Sequence, residues 1–117
     1  MPRYFGEWGS IKDVHADDWS EGAAAVTELS DSEVLFAHCD GSPFDAEFQI
    51  VFRRGDAIYE ATGNHCSCGG FSFVPGVTSW AALAMRKKPF VWTAREKSAA
   101  RDAWAAMIAR HVPTAGG

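Results

Sequence analysis

The sequence predicts an α+β fold in which helices pack on one face of a small antiparallel sheet. Residues 46–53 alternate between two faces, and a turn at 54–56 returns the chain into a second strand over 57–61. One face of the first of these strands holds three apolar side chains, Phe48, Ile50 and Phe52. Residues 78–111 then carry helix-capping signals, with a fourth short strand or an extended link at 90–92. Together these patterns predict a three- to four-stranded meander packed against two or three helices.

The first half of the chain adds one further strand and one helix. Residues 33–39 are mostly apolar, which is typical of a buried strand. Residues 4–9 combine aromatic side chains with glycine, and we interpret them as an ordered loop or an edge segment. Asp17 and Asp18 precede an alanine-rich stretch that predicts a helix reaching about Leu29.

Two helices are predicted in the second half. Thr78 or Ser79 can cap a short helix, since a side-chain oxygen there can accept a bond from a free backbone N–H group. Thr93 and Glu96 form a capping-box pattern that opens a last helix, which ends near His111. The apolar stripe of this last helix consists of Ala100, Trp104, Met107, Ile108 and His111.

Length and composition predict one soluble domain. With 117 residues, of which 47% are hydrophobic and 22% charged, the chain can build one hydrophobic core but not two. We therefore assign residues 1–117 to a single α+β domain with a loose tail at 114–117. No apolar run approaches the ~18 residues of a membrane span, and no leader opens the chain. A cytoplasmic protein without a membrane partner is the expectation.

The net charge of −4 is distributed unevenly along the chain. Residues 1–62 hold 13 of the 15 acidic side chains and four bases, whereas residues 63–117 hold two acids and seven bases. The acidic part could form a face that binds a basic partner, or the two parts could pack together and neutralise each other. The basic cluster 86–88 lacks interleaved aromatic residues, so the sequence argues against direct nucleic-acid binding.

The segment 63–70, which we expect to form a loop, is the densest chemical signal, because it contains a histidine and two cysteines between glycines. Thiolates and imidazoles are strong zinc ligands, but a structural zinc site needs about four of them. The residues that could form such a site are His65, Cys66, Cys68, His38 and Cys39. Two interpretations stay open: a site for zinc, the only cofactor that the sequence indicates, or a buried polar turn that binds no cofactor.

A thiol enzyme is a further alternative. Cys66 or Cys68 could act as a nucleophile with His38 as its base. Nothing in the sequence selects one thiol, one base or one substrate, so we assign no catalytic residue and favour a non-enzymatic role. His15 and His111 show no neighbouring partner signal, and we interpret both as incidental.

Aromatic residues make up 13% of the chain and are common at the centres of interfaces. Trp80 and Trp104 lie on the apolar stripes of the predicted helices, so we expect both in the core. Trp8 and Trp19 stand near the acidic N-terminal segment and are the better candidates for exposed contacts. The predicted partner-binding residues are therefore Trp8, Asp13, Asp17, Asp18, Trp19 and Glu21.

Several motifs follow one another in a defined order between residues 33 and 83. They are an apolar strand at 34–37, Tyr59-Glu60, Gly63 with His65-Cys66-Ser67-Cys68, and then Pro75 and Trp80. This order resembles a family of short, mostly uncharacterised proteins of bacteriophages and prophages that share the motif G-S-H-C-S-C-Y-G. Asn64 replaces the serine of that motif and Gly69 its tyrosine.

The resemblance implies a context and no established activity. Small soluble phage proteins often act by binding a host enzyme or a defence complex. We therefore expect a non-enzymatic accessory protein that binds a host protein or nucleoprotein complex in the bacterial cytosol. An inhibitor of a bacterial defence system, similar to anti-CRISPR proteins, is the sharpest form of this hypothesis. A small zinc-binding module and a thiol-dependent enzyme remain the alternatives.

Overall fold

The computed structural model describes residues 3–6, 8–16, 28–42, 45–66, 76–86 and 97–111. Within them, the strands are β1 (Tyr4–Gly6), β2 (Val34–Ser42), β3 (Asp45–Arg54), β4 (Ala57–Cys66) and β5 (Gly76–Thr78). The helices in these ranges are α1 (Ile11–Ala16), α2 (Trp80–Arg86) and α3 (Lys97–His111). A short 3-10 helix, Asp31–Glu33, precedes β2. The predicted α+β class is confirmed.

The strands form one sheet in the order β1-β2-β3-β4-β5. Strands β2 to β5 pair antiparallel, whereas β1 runs parallel to β2 with Tyr4 opposite Ala37. The sheet is therefore mixed and has five strands, which corrects the predicted antiparallel meander of three or four. β1 and β5 have three residues each, which is too short to show an alternating pattern in the sequence.

The β3–β4 hairpin follows the prediction in its centre and differs at its end. Arg54 pairs with Ala57 across a two-residue turn, and Gly55 takes the left-handed conformation with φ of 64°. β4 then continues through Gly63 to Cys66, which lies opposite Asp45. The first half of the cysteine-rich segment is therefore part of a strand, which corrects the predicted loop.

Each face of the sheet carries its own core. The α1 face, named after the helix packed on it, holds buried residues that include Trp8, Val14, Leu29, Phe48, Ile50 and Phe52. The opposite α3 face holds a second group that includes Phe5, Phe36, Val51, Leu83, Trp104 and Met107. Helices therefore cover both faces of the sheet, which corrects the prediction that they pack on one.

A register shift in β2 decides which of its residues lies on which face. Val34 is opposite Phe52, and Phe36 is opposite Val51, so one extra residue is accommodated between them. Such a bulge reverses the alternation. As a result Val34 joins the core of the α1 face, whereas Phe36 joins that of the α3 face.

The helices of the second half follow their sequence signals. Ser79 caps α2, since its Oγ accepts a hydrogen bond from the Ala82 backbone N–H at 3.1 Å. The predicted stripe of α3 is buried at Ala100, Trp104 and Met107. No helix in the described ranges is long and apolar enough to cross a membrane. Four predicted features lie outside those ranges: most of the helix at 17–29, the link at 90–92, the capping box at Thr93 and the tail at 114–117.

Candidate functional site

His38 and Cys39 occupy neighbouring positions in β2 and therefore point to opposite faces of the sheet. His38 is 1% exposed and lies opposite Gln49 of β3, on the α3 face. Cys39 is 2% exposed and belongs to the core of the α1 face. A single zinc site on one face of the sheet can therefore use only one of the two.

The strand pairing separates these residues from the cysteine-rich segment. His65 pairs with Ala46 of β3, which in turn pairs with Gly41 of β2, so His65 is level with Gly41. His38 is three residues from that level, or about 10 Å along the strand, and lies two strands away. Cys68 lies outside the described ranges. Among the residues that the structure does describe, no group of three or more potential ligands could hold a metal ion.

The thiol-enzyme alternative meets the same separation. Cys66 is level with Ser42 of β2, four residues beyond His38. The backbone register therefore does not place the proposed base beside this proposed nucleophile. Zinc binding and thiol chemistry both stay predictions from the sequence.

Of the six predicted partner-binding residues, one lies in the core, one lies at the surface and four lie outside the described ranges. Trp8 is 2% exposed, and its ring packs 6.0 Å from the ring of Phe48. The structure thus places Trp8, which lies between β1 and α1 in the chain, in the core of the α1 face and not on the surface. Asp13 is exposed, and its Oδ2 accepts a hydrogen bond from the Gly9 backbone N–H at 2.7 Å. The other four, Asp17, Asp18, Trp19 and Glu21, lie outside the described ranges.

The balance of exposed charge differs by a small excess between the two layers of helices. The α1 side of the molecule exposes Lys12, Asp13 and Glu28, the last of which adjoins the buried Leu29. The α3 side exposes Arg101, Asp102 and Arg110. One ion pair does join the acidic and basic parts of the sequence, between Glu60 and Arg86. The described charges otherwise favour separate faces over mutual neutralisation.

Asp31 is one of the acidic residues whose carboxylate is bound by the chain itself. It accepts hydrogen bonds from the Tyr4 hydroxyl at 2.6 Å and from Arg3 Nη2 at 2.7 Å. The Tyr4 bond, and then the Arg3 bond, hold the pKa of Asp31 below its usual range. Burial, and then the bond to Asp31, raise the pKa of Tyr4 well above its ordinary value. These hydrogen bonds connect β1 to the segment that precedes β2.

A partly buried polar network on the α3 face was not predicted. Gln49 is fully buried, and its Nε2 donates a hydrogen bond to Glu60 Oε2 at 2.5 Å. Arg86 of α2 binds the same carboxylate with both terminal nitrogens, and its Nη2 lies 2.7 Å from Oε1. The guanidinium also lies 5.7 Å from the centre of the Trp104 ring. Gln49 and Arg86 both bind the Glu60 carboxylate, and we interpret the network as part of the attachment of α2 to the sheet.

The known proteins provide no guide to this arrangement. No family model, no curated protein and no solved structure matches the chain. The resemblance to phage proteins and the function that it implies therefore stay predictions.

Both histidines that were interpreted as incidental have structural roles. His15 Nε2 lies 2.7 Å from the Leu29 carbonyl oxygen, and because a carbonyl only accepts, this nitrogen carries the proton. The bond ties α1 to the segment before β2. His111 stacks on Trp80 with ring centres 4.0 Å apart and planes 6° from parallel, which joins the end of α3 to the start of α2. Sequence spacing gives no sign of either contact, since the partners are distant in the chain.

Proposed function

We propose that this chain is a non-enzymatic accessory protein of a phage or prophage, and that its acidic α1 side binds a basic surface of a host protein or nucleoprotein complex. The observation that carries the proposal is the difference in charge balance between the layers. Among the exposed charges of the helix layers, Asp13 and Glu28 outnumber Lys12 on the α1 side, whereas Arg101 and Arg110 outnumber Asp102 on the α3 side. A separated acidic face can steer towards a basic partner and orient itself on it.

The sequence between α1 and Glu28 is also acidic. Asp17, Asp18 and Glu21 follow α1 directly, and the stretch 17–27 contains no base. Carboxylates at this density carry closely spaced negative charge, as the phosphates of DNA or RNA do in a protein groove that binds them. A defence complex that binds DNA or RNA offers such a basic groove. We favour the form of the proposal in which the chain inhibits a bacterial defence system by occupying that groove.

Three observations support a non-enzymatic role. His38 and Cys39 are buried on opposite faces, so neither is open to a substrate in this structure. Glu60, Gln49 and Arg86 bond to one another. The exposed Asp13 caps the backbone of Gly9, a common structural use of a carboxylate.

Phage plating tests the proposed inhibition. The chain is expressed in bacteria that carry an active CRISPR system directed at an infecting phage, and plaques are counted with and without it. We expect the unaltered chain to restore plating, and the variant Asp13→Lys, Asp17→Lys, Asp18→Lys, Glu21→Lys to restore much less. The control, Arg101→Glu with Arg110→Glu, changes charge on the α3 side only and should retain the effect. Equal restoration by the lysine variant would show that the acidic face is not the binding surface.

A further inference from the structure

The two methionines in the described ranges differ in their access to solvent. Met85, near the end of α2, is 82% exposed, whereas Met107 of α3 is 3% exposed and belongs to the core of the α3 face. Peroxides oxidise the thioether of methionine to a sulfoxide, and to do so the oxidant must reach the sulfur. The fold therefore gives two side chains of the same chemistry very different access to an oxidant dissolved in water.

Helical geometry explains why the side chain of Met85 is exposed. Successive residues of an α-helix are rotated by about 100° around its axis, so Met85 and Leu83 lie on roughly opposite sides of α2. Leu83 is fully buried in the core of the α3 face. Ala81, one turn before Met85, is exposed as well. The side of α2 that faces away from the core thus presents the thioether to solvent.

Other residues hold α2 in place. Trp80 stacks on the last residue of α3, Leu83 packs in the core, and Arg86 binds a carboxylate of β4. With 82% of its surface in solvent, Met85 contributes little to this packing. An oxygen atom added to its sulfur therefore disturbs none of the three contacts that attach α2 to the rest of the molecule.

Met107 provides an internal reference for the same reaction in a core. It lies in the buried stripe of α3 together with Ala103 and Trp104. An oxidant reaches its sulfur only when the core opens, and a polar sulfoxide there would disrupt the packing. Oxidation of Met107 is therefore slow as long as the fold is intact, and it reports opening of the core.

We infer that Met85 is a modification site, at which a peroxide oxidises the thioether to a sulfoxide while the fold stays intact. The S–O bond forms as the O–O bond breaks, and the proton on the transferred oxygen passes to the departing hydroxide, which leaves as water. Sulfur is oxidised and the peroxide is reduced. Because the sulfoxide stands at the surface, a methionine sulfoxide reductase can reverse the change. The inference goes beyond the proposed function, because it concerns α2 and not the acidic α1 side.

Peptide mapping of the full chain after treatment with dilute hydrogen peroxide tests the inference. The reaction is quenched, the cysteines are alkylated, and fragment spectra assign each added oxygen to a residue. We expect sulfoxide to form at Met85 at least about tenfold faster than at Met107. In urea that unfolds the chain, the two rates should agree within about twofold. Similar rates in the folded chain, or a preference for Met85 that persists in urea, would overturn the inference.

Two variants and one repair reaction complete the test. Met85→Leu should remove the fast oxidation, whereas the matched control Met107→Leu should retain it. The chain oxidised at Met85 should unfold at the same urea concentration as the unaltered chain, and methionine sulfoxide reductases should return it to its original mass. A lower unfolding midpoint after oxidation, or a sulfoxide that the reductases cannot reduce in the folded chain, would contradict the inference.

Discussion

At the scale of single residues, Gly6 of β1 has no room for a side chain beside β2. Its φ is 74°, and a Cβ atom at this position would lie 1.9 Å from the Cys39 carbonyl oxygen. We predict that Gly6→Ala lowers the free energy of unfolding in urea by more than about 2 kcal/mol, from backbone strain and steric overlap together. Gly55→Ala is the matched control, because Gly55 has φ of 64° with no atom near its Cβ position. It should cost about 1 kcal/mol, and equal losses would contradict the proposed contact.

Asp31 gives a prediction about acid stability. Its pKa is lowered in the folded protein, so the unfolded chain binds a proton at higher pH than the folded chain does. The stabilisation is therefore complete above the ordinary aspartate pKa near 4 and is lost as the pH falls below it. We predict that Asp31→Asn destabilises the protein at pH 7 and has a smaller effect at pH 2.5, in urea unfolding at both values. An equal effect at both would show that the charge of Asp31 contributes nothing.

At the scale of secondary-structure elements, one ion pair contributes to the attachment of α2, beside the buried Leu83 and the Trp80–His111 stack. Arg86 binds Glu60, whose side chain is 14% exposed, while that of Arg86 is 30% exposed. We predict that Arg86→Met lowers the free energy of unfolding by about 1–2 kcal/mol, less than for a fully buried pair because water partly screens the guanidinium. The exposed Arg110→Met is the control and should stay within about 0.5 kcal/mol. If Arg86→Met costs no more than this control, the pair does not hold α2.

Local patterns predicted some elements, and tertiary pairing decided others. The β3–β4 hairpin was predicted because alternation and its turn are encoded in adjacent residues, and the same holds for the buried stripe of α3. β1 and β5 were missed because each has three residues and exists only through its pairing with a longer strand. The extension of β4 to Cys66 was missed because its glycine and asparagine disfavour strands in general.

The candidate site also depends on tertiary contacts that local sequence patterns do not encode. Trp8 was predicted at the surface because an aromatic residue near acidic ones gives the same sequence pattern whether it is buried or exposed. The network of Gln49, Glu60 and Arg86 escaped prediction because its members come from two strands and a helix and meet only in the tertiary structure. Asp13 lies at the surface, and its predicted contact with a partner stays a prediction.

At the scale of the whole molecule, the metal content decides between the binding protein and the zinc module. If the chain is a binding protein, the segment from His65 to Cys68 has a structural role. We therefore predict well under one equivalent of zinc per chain by elemental analysis of protein purified without chelator. Cys68→Ser should then unfold in urea at nearly the same concentration as the unaltered chain. Close to one equivalent of zinc, lost in Cys68→Ser, would contradict the structural role and favour the zinc-binding alternative.

The central claim is that the acidic α1 side carries partner binding. The most direct measurement is quantitative capture from host lysate by three immobilised proteins: the unaltered chain, the Asp13, Asp17, Asp18 and Glu21 lysine variant, and the Arg101→Glu, Arg110→Glu control. We predict a basic host protein or nucleoprotein that the unaltered chain and the control retain, that the lysine variant loses, and that salt displaces. Retention of the same partner by the lysine variant, at the same salt concentration, would contradict the claim.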